Sequence, residues 1–318
     1  MLKIDMTNKK SVRAAFGNAL AELGRENNDI VVLDADLSCS TQTGIFAKEF
    51  PERFFNVGIA EQDLVTTAAG LSLAGKIPFA AAFAVFITGR SYDQIRNTVC
   101  YSNCNVKLIG THGGITVGED GATHQALEDV ALMANLPNMT VVVPADSNEI
   151  NAVIKFASMY DGPMYIRIPR SNLPDVFDSE YEFDLFKAKV LNEGSDITVV
   201  TNGDILSEVV EAVNCLEEKG VSVELIHAPV VKPFDIDTVK ASAQKTGLVV
   251  TIENHSIRGG IGSIVCEQLS ESMPTRVVRL GVDDEFGQSG TSDELLDFYG
   301  LSSSKIVDKV IEILKWFN

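Results

Sequence analysis

Basic residues are scarce in this sequence of 318 residues. Lys and Arg together number 26 against 44 Asp and Glu, which gives a formal net charge of −18 at pH 7. Such an acidic chain repels the phosphate backbone of nucleic acids and the surface of anionic membranes. Nucleic-acid binding is therefore not expected as the primary role.

Long apolar runs are also missing. The longest nearly apolar run covers residues 77–88 and contains Pro78, whereas a membrane-spanning helix needs about 20 apolar residues. The opening residues, MLKIDMTNKK, lack the apolar core of a secretory signal. The five cysteines are odd in number, and no second Cys or His pair stands at the distance from Cys100 and Cys104 that would complete a zinc site. These features predict a cytoplasmic protein without a transmembrane helix or a bound structural metal.

Three common signatures of catalysis or cofactor binding are absent as well. The sequence has no phosphate-binding Gly-x4-Gly-Lys-Ser/Thr string and no Gly-x-Gly-x-x-Gly after its first predicted strand. It also has no Gly-x-Ser-x-Gly motif. Nucleotide-binding folds and serine hydrolases are therefore disfavoured.

What the sequence does contain is an alternation of helical and strand patterns. Apolar residues recur at helical spacing from Val12 to Leu23, with Ser11 as a cap before them and Gly24 as the expected end. Four further helices are predicted to begin at Glu61, Ser91, His124 and Asn148. Strand patterns rich in β-branched residues stand between them. This alternation predicts an α/β fold with a mainly parallel sheet.

An acidic stretch after Pro174 interrupts the alternation, which restarts near Asp196. We interpret it as a linker, with an ordinary solvated surface loop as the alternative. The sequence thus predicts two α/β domains, each a mainly parallel sheet flanked by helices, over residues 1–172 and 193–318 with a linker over residues 173–192. His227 and His255 are isolated, so we expect the second domain to serve in subunit contact.

The densest polar cluster is the segment Thr111–Gln125, THGGITVGEDGATHQ, which follows a predicted strand. Ligands of open parallel sheets gather at the carboxyl ends of the strands. The glycines allow close approach of a ligand, while His112, Asp120 and His124 supply groups suited to proton transfer. The alternative is a glycine-rich surface loop with a helix cap at Thr123.

A carboxylate at Glu61 begins an Ala- and Leu-rich helix that is expected to be buried. Burial of a charged carboxyl group is costly unless a partner compensates it. Glu61 therefore either caps its own helix or shares a proton with a ligand nitrogen. Phe83 and Phe86 are separated by small residues, and packing in the core is the expected role of phenylalanine judged by residue type alone.

Taken in order, these segments resemble the pyrimidine-binding and C-terminal domains of the transketolase family of thiamine-diphosphate enzymes. The matching strings are GIAEQ at 58–62, the phenylalanine segment at 83–86, HGGITVGEDGATHQ at 112–125, LPNMTVVVPAD at 136–146 and PRSNLP at 169–174. The strings TIENHSIRGGIGS and DDEFGQSG extend the resemblance over nearly the whole chain.

The resemblance implies a role for each matched residue. Glu61 matches the glutamate that hydrogen-bonds the aminopyrimidine ring of thiamine diphosphate and promotes its imino tautomer. Phe83 and Phe86 match the aromatic platform for that ring, and Asp36 matches an aspartate near the cofactor. Five positions match residues that contact the phosphate, carbonyl or hydroxyls of a sugar-phosphate substrate: Ser40, His112, Asp120, His124 and Arg170. Catalytic roles are implied for Glu61, His112 and His124.

The magnesium-diphosphate signature of the family, Gly-Asp-Gly followed by Asn-Asn, is not present in this sequence. An anionic diphosphate needs a metal and oxygen ligands to hold it. The resemblance therefore implies the C-terminal subunit of a split transketolase, with Mg²⁺ bound through a separate N-terminal subunit in a heterotetramer. It also implies homodimer contacts, and transfer of a two-carbon ketol unit between sugar phosphates in pentose phosphate metabolism.

Two alternatives remain open on the sequence. Gln62 stands where many transketolases have His, Gly89 replaces an aromatic residue, and the string AEQ is also similar to deoxyxylulose phosphate synthase. The chain could then be a subunit of that type, or of the 2-oxoacid dehydrogenase β type, that decarboxylates a 2-oxoacid. The other alternative is a non-catalytic homologue that binds a partner or regulatory ligand, which the cost of burying Glu61 without a cofactor disfavours.

Overall fold

The structure, a computed structural model, describes residues 4–317 of the chain. It has two mainly parallel sheets flanked by helices and a separate two-stranded ribbon, so the predicted fold class is confirmed. Residues 1–3 and 318, which belong to the ends of the two predicted domains, lie outside the described residues.

The strands follow one another in the order β1 (Lys9–Ser11), β2 (Ile30–Asp34), β3 (Phe54–Asn56), β4 (Ile77–Phe83), β5 (Lys107–Thr111), β6 (Thr140–Val142), β7 (Met164–Ile168), β8 (Asn172–Pro174), β9 (Lys189–Asn192), β10 (Ile197–Thr201), β11 (Val223–His227), β12 (Val230–Lys232), β13 (Leu248–Ser256) and β14 (Arg276–Val282). The α-helices are α1 (Val12–Glu26), α2 (Ser38–Thr41), α3 (Gly44–Glu49), α4 (Glu61–Leu73), α5 (Ala84–Arg90), α6 (Tyr92–Gln94), α7 (Asp129–Ala134), α8 (Ser147–Met159), α9 (Leu206–Glu218), α10 (Ile236–Thr246), α11 (Ile261–Ser272), α12 (Ser292–Phe298) and α13 (Ser303–Phe317). Short 3₁₀ segments cover Pro51–Arg53, Ile115–Asp120 and Gly203–Ile205, and a π-helix covers Ile95–Cys100.

The larger sheet has seven strands in the order β12-β6-β7-β5-β4-β2-β3. All neighbouring strands in it are parallel except β12, which runs antiparallel to β6. The smaller sheet has the order β14-β13-β10-β11-β9, and only β9 is antiparallel to its neighbour. Because β12 follows β11 in the chain, the second half of the sequence completes the sheet of the first half.

The predicted linker, residues 173–192, connects the two sheets and carries strand residues at both ends. β8 pairs antiparallel with β1 to form the two-stranded ribbon. β9 joins the smaller sheet beside β11. The connection is thus tied to the folded units at both ends by strand pairing.

Alternate residues of the strands face opposite sides of each sheet and pack into separate cores. On β4, Phe79 packs into one core and Ala80 into the other, as the period of two along a strand requires. Ile115, which follows β5, instead packs with residues of the smaller sheet. The two domains therefore share a hydrophobic core.

The first helix begins as predicted but ends later. Ser11 caps α1 by accepting a hydrogen bond from the backbone N–H of Ala14 at 3.2 Å. The helix continues through Gly24 to Glu26, so the expectation that Gly24 ends it is wrong. A Cβ atom at Gly24 would overlap the rings of Phe46 and Phe50, which shows that close packing explains this glycine.

Two predicted helix starts also differ from the structure. The helix expected from His124 begins at Asp129, because the Gln125 side chain donates to the carbonyl oxygens of Ile115 and Gln288 and holds the chain in an irregular path. The helix expected from Ser91 is a short α-helical turn that continues into the π-helix. Between residues 4 and 317, no helix combines the length and apolar character needed to cross a membrane.

Candidate active site

Three neighbouring strands of the larger sheet end at one edge, and a predicted site residue stands at each end. Phe83 is the last residue of β4, His112 directly follows β5, and Arg170 lies two residues after β7. In the sheet, β5 lies between β4 and β7. The parallel arrangement therefore brings these three residues together at the carboxyl edge, where α/β sheets bind ligands.

Four rings form an aromatic cluster at this edge: Phe83, Phe86, His112 and His124. The imidazole of His112 stacks on Phe83 with ring centroids 3.8 Å apart, and Phe86 stacks on Phe83 at 5.7 Å. His124 contacts Phe86 edge-on at 5.3 Å. Phe79, by contrast, is fully buried in the core. The structure thus separates the core phenylalanine from the two that line the edge.

Glu61 lies beside this cluster and is paired with an arginine. The carboxylate is 4% exposed at the first position of α4, and its Oε1 accepts a hydrogen bond from Arg90 Nη1 at 2.7 Å. The same guanidinium lies 4.0 Å from the ring centroid of Phe86. Arg90, which the sequence reasoning missed, therefore compensates the buried carboxylate and covers the face of Phe86.

A basic pair, Arg13 and Arg170, lies on the other side of His112. Arg13 Nη1 donates to the backbone carbonyl of Ser40 at 2.7 Å, and its buried Nε has no hydrogen-bond partner in the structure. Arg170 donates to the carbonyl of Val117 and to the carboxylate of Glu119, the latter at 3.0 Å. Arg13 was not identified from the sequence.

The basic pair controls the charge of His112. Burial lowers the pKa of this imidazole to about 3, and the positive charges of Arg13 and Arg170 lower it further, as does His124. The pKa of Arg13 is itself lowered by burial and by the charge of Arg170. His112 is therefore neutral at physiological pH and can exchange a hydrogen bond with a substrate oxygen without carrying a charge. Asp120 extends this group, with Oδ2 3.9 Å from Arg170 Nη1.

Asp36 lies at the same edge, after β2, and is bonded to the neighbouring strand end. Its backbone N–H donates to Asn56 Oδ1 at 3.1 Å, and its own Oδ1 accepts from Asn56 Nδ2 at 3.2 Å. The buried carboxylate of Asp34 fixes the connection that carries Asp36 and Ser40 by accepting hydrogen bonds from Thr41 and Thr43. Asp34 was also missed, although its position at a strand end was a usable signal.

Two of the predicted site residues have strained backbones. Asp36 has φ 64° and His112 has φ 60°, in the left-handed region that residues with a Cβ atom rarely adopt. Such strain concentrates at functional sites. Residues 111–118 are also buried, so the alternative of a glycine-rich surface loop is wrong for this part of the segment.

Metal ligands do not cluster in the part of the chain that the structure describes, where no three His, Cys, Asp or Glu side chains lie close enough to hold an ion. Cys100 and Cys104 are free, buried thiols.

Comparison with known protein families matches almost the entire chain. Residues 8–176 match the family "Transketolase, pyrimidine binding domain", and residues 186–306 match "Transketolase, C-terminal domain". One of the two subunits of an apulose-4-phosphate transketolase, from Phocaeicola vulgatus, is 37% identical over 97% of this chain and 99% of its own length. The 6-deoxy-6-sulfo-D-fructose transketolase subunit SqwH of Clostridium sp. is 39% identical over 96% and 95%.

A solved structure extends this similarity to three dimensions. It is described as a split-gene transketolase in an inactive β4 tetramer, and it is 50% identical to this chain. The superposition covers 96% of this chain and 99% of that one with a TM-score of 0.89.

Proposed function

This chain belongs to the transketolase family, and on that basis we propose that it is the C-terminal subunit of a split transketolase. In this proposal it transfers a two-carbon ketol unit from a ketose phosphate to an aldose phosphate. Thiamine diphosphate would lie at the interface with a separate N-terminal subunit.

The contact of Arg90 with Glu61 and Phe86 is the observation that carries the proposal. A planar N–H donor lies over the face of Phe86 and donates to a buried carboxylate at 2.7 Å. An aminopyrimidine ring needs the same two contacts, one aromatic face to stack on and one carboxylate for its N–H groups. The guanidinium thus stands in for the pyrimidine, and the residues present fit that half of thiamine diphosphate once Arg90 moves aside.

Glu61 and the aromatic cluster then have defined tasks. When bound, thiamine diphosphate supplies the nucleophilic carbon that cleaves the bond beside a ketose carbonyl. The Glu61 carboxylate would accept a proton-bearing nitrogen of the pyrimidine, and burial at 4% exposure would keep water away from that hydrogen bond. Phe83 and Phe86 would orient the ring by stacking.

The basic pair supports an anionic substrate. Arg13 and Arg170 present two guanidinium groups near Ser40, and the Nε of Arg13 is buried without a partner. A phosphate oxygen is the acceptor that such donors match best. With the phosphate held there, the neutral His112 and the nearby His124 and Asp120 would face the carbonyl and hydroxyl groups of the sugar.

The partner subunit is proposed to hold the diphosphate and Mg²⁺, since the magnesium-diphosphate signature is missing from this sequence. Two similar proteins are themselves named as transketolase subunits, and the similar β4 assembly is described as inactive. Both descriptions agree with a chain that needs a second subunit.

The test is a ketol-transfer assay on the chain alone, a candidate N-terminal subunit alone and the two mixed, each with thiamine diphosphate and Mg²⁺. The donors are a straight-chain ketose phosphate, apulose 4-phosphate and 6-deoxy-6-sulfo-D-fructose, because relatives are named for the last two. We expect transfer to an aldose phosphate only in the mixture. Absence of transfer from every donor, or decarboxylation of pyruvate by the mixture in its place, would contradict the proposal.

A further inference from the structure

The segment Thr111–Gln125, which carries His112, Asp120 and His124, is held mainly by residues of the second domain. Ile115 packs its side chain into the core of that domain. The Gln125 amide donates to the carbonyl of Gln288 at 2.9 Å. The conformation of a segment in the first domain thus depends on contacts with the second.

Asn254, near the end of β13, makes the central contact. Its Oδ1 accepts a hydrogen bond from the backbone N–H of Ile115 at 2.9 Å. Its Nδ2 donates to Thr116 Oγ1 at 3.1 Å and to Asp204 Oδ2 at 2.8 Å. Asn254 is 2% exposed, so these bonds have no competition from solvent. One amide side chain therefore fixes both a backbone N–H and a side chain of the segment.

The surrounding groups fix Asn254 in turn. Arg167 Nη1 donates to the Asn254 carbonyl, and Nη2 donates to the carbonyl of Ala126, both at 2.9 Å. The hydroxyl of Thr116 donates to Asp204 Oδ2 at 2.7 Å. A network of this kind has a single satisfied arrangement, because each buried donor that loses its acceptor is penalised.

The backbone of the segment shows why such support is needed. Gly114 has φ 79°, and a Cβ atom at that position would overlap the amide of Asn254. Ser292 Oγ, at the start of α12, donates to the carbonyl of Thr116 at 2.9 Å. The left-handed turn at Gly114 and the strained residue His112 are thus pressed against groups of the second domain.

We propose that Asn254 is a positioning residue, which sets the backbone at Ile115 and Thr116 and thereby the placement of His112, Asp120 and His124 for the substrate. It touches no substrate itself. The part of this inference that concerns substrate use rests on the proposed function, whereas the part that concerns the conformation of the segment stands without it. The second domain then acts in the site as well as in subunit contact.

The experiment compares Asn254→Ala with His227→Ala in the full chain. His227 is a matched control, since it too is a fully buried residue at the end of a second-domain strand and bonds the first domain, through Glu149 at 2.9 Å. Amide hydrogen exchange is measured by mass spectrometry on peptides that cover residues 111–126. We expect Asn254→Ala to speed exchange of Ile115 and Thr116 about tenfold or more, because an amide that loses its acceptor opens more readily. His227→Ala should leave those peptides protected.

Kinetics on the complex with the N-terminal subunit provide the second readout. Asn254→Ala should raise KM for the donor sugar about tenfold, because a misplaced contact loses that much, while the affinity for thiamine diphosphate stays unchanged. The exchange of charge in Asn254→Asp with Asp204→Asn should restore part of the loss. Should Asn254→Ala fail to fold, Ser292→Ala gives the same comparison with a smaller expected effect.

Equal loosening of the segment by Asn254→Ala and His227→Ala would overturn the inference, as would unchanged exchange in Asn254→Ala or Ser292→Ala. Lack of ketol transfer by the wild-type complex would instead contradict the proposed function. The exchange experiment would still test the role of Asn254 in that case.

Discussion

The carboxyl edges of the two sheets have opposite fates. At the edge of the larger sheet, Phe83, His112 and Arg170 surround a place for a ligand. At the same edge of the smaller sheet, Asp204 follows β10, His227 ends β11 and Asn254 lies on β13, all at most 8% exposed and bonded to the first domain. Parallel topology thus provides a polar edge in both domains, and coverage by the other domain turns one of them into a joint.

The charged groups at the two edges show the same difference. At the joint, Arg167 Nε lies 3.0 Å from Asp129 Oδ2, and both side chains are at most 5% exposed. At the site, Arg90 is half exposed and Arg170 is 35% exposed. The joint pair is fixed by its surroundings on all sides, while the site cations remain within reach of an incoming anion. Substitutions should therefore affect folding at the joint and catalysis at the site.

The largest effect is expected for Arg167→Met at the joint. This change leaves the Asp129 carboxylate buried without its cation and removes two donors, so the free energy of unfolding should fall by about 3–5 kcal/mol. Urea denaturation of the full chain measures it. Arg25→Met is the control, since the Arg25–Glu49 pair is exposed and should contribute less than about 1 kcal/mol. Equal losses in both variants would show that the joint is no more constrained than the surface.

The second effect is expected at the site. Glu61→Gln removes the carboxylate that the pyrimidine needs, so ketol transfer should fall about 100-fold or more, which is typical for loss of an acid–base group. The chain should stay folded, because Arg90 is half exposed and can solvate its freed charge. Glu224→Gln is the matched control, a glutamate 1% exposed and paired with Lys245 in the second domain. Similar activity of the two variants would refute the assignment of Glu61.

The third effect separates the phosphate from the rest of the substrate. Arg13→Met should raise KM about 10- to 100-fold for a phosphorylated donor, since a charge-assisted hydrogen bond contributes about 1.5–3 kcal/mol. An unphosphorylated short ketose should show no such change. Arg25→Met, on the same helix but exposed, should leave both values as they are. A rise in KM for both donors alike would contradict a phosphate role for Arg13.

The smallest effect is a pH dependence caused by His112. Burial lowers its pKa to about 3 against 6.5 in the unfolded chain, so the folded state is favoured above pH 6.5 and loses this advantage as the pH falls towards 3. Between pH 6.5 and 5.5, wild type should lose about 1 kcal/mol more stability than His112→Gln. Parallel stability curves for the two proteins over this range would show that the imidazole is not buried as described.

Local sequence signals located the residues of the site that stand at strand ends or in glycine-rich turns. Phe83, His112 and Arg170 follow predicted strands, and parallel topology alone then places them side by side. The helix expected at His124 failed because Gln125 bonds to Gln288, a contact across 163 residues that no local pattern carries.

The missed residues act through partners that are distant in sequence. Arg90 meets Glu61 across 29 residues, a contact that depends on how α4 and α5 pack. Asn254 reaches Ile115 only when both domains are assembled. Arg13 did leave a signal, because a cation in the first turn of a helix opposes the helix dipole and must be compensated.

Calorimetric titration of thiamine diphosphate with Mg²⁺ tests most directly the claim that the edge of the larger sheet is half of a cofactor site. The titration is made into the chain alone, into its mixture with a candidate N-terminal subunit, and into mixtures that contain Glu61→Gln or Glu224→Gln. The account predicts binding in the wild-type and Glu224→Gln mixtures, at least tenfold weaker binding with Glu61→Gln, and none by the chain alone. Equal binding by the Glu61→Gln and wild-type mixtures, or no binding in any sample, would contradict it.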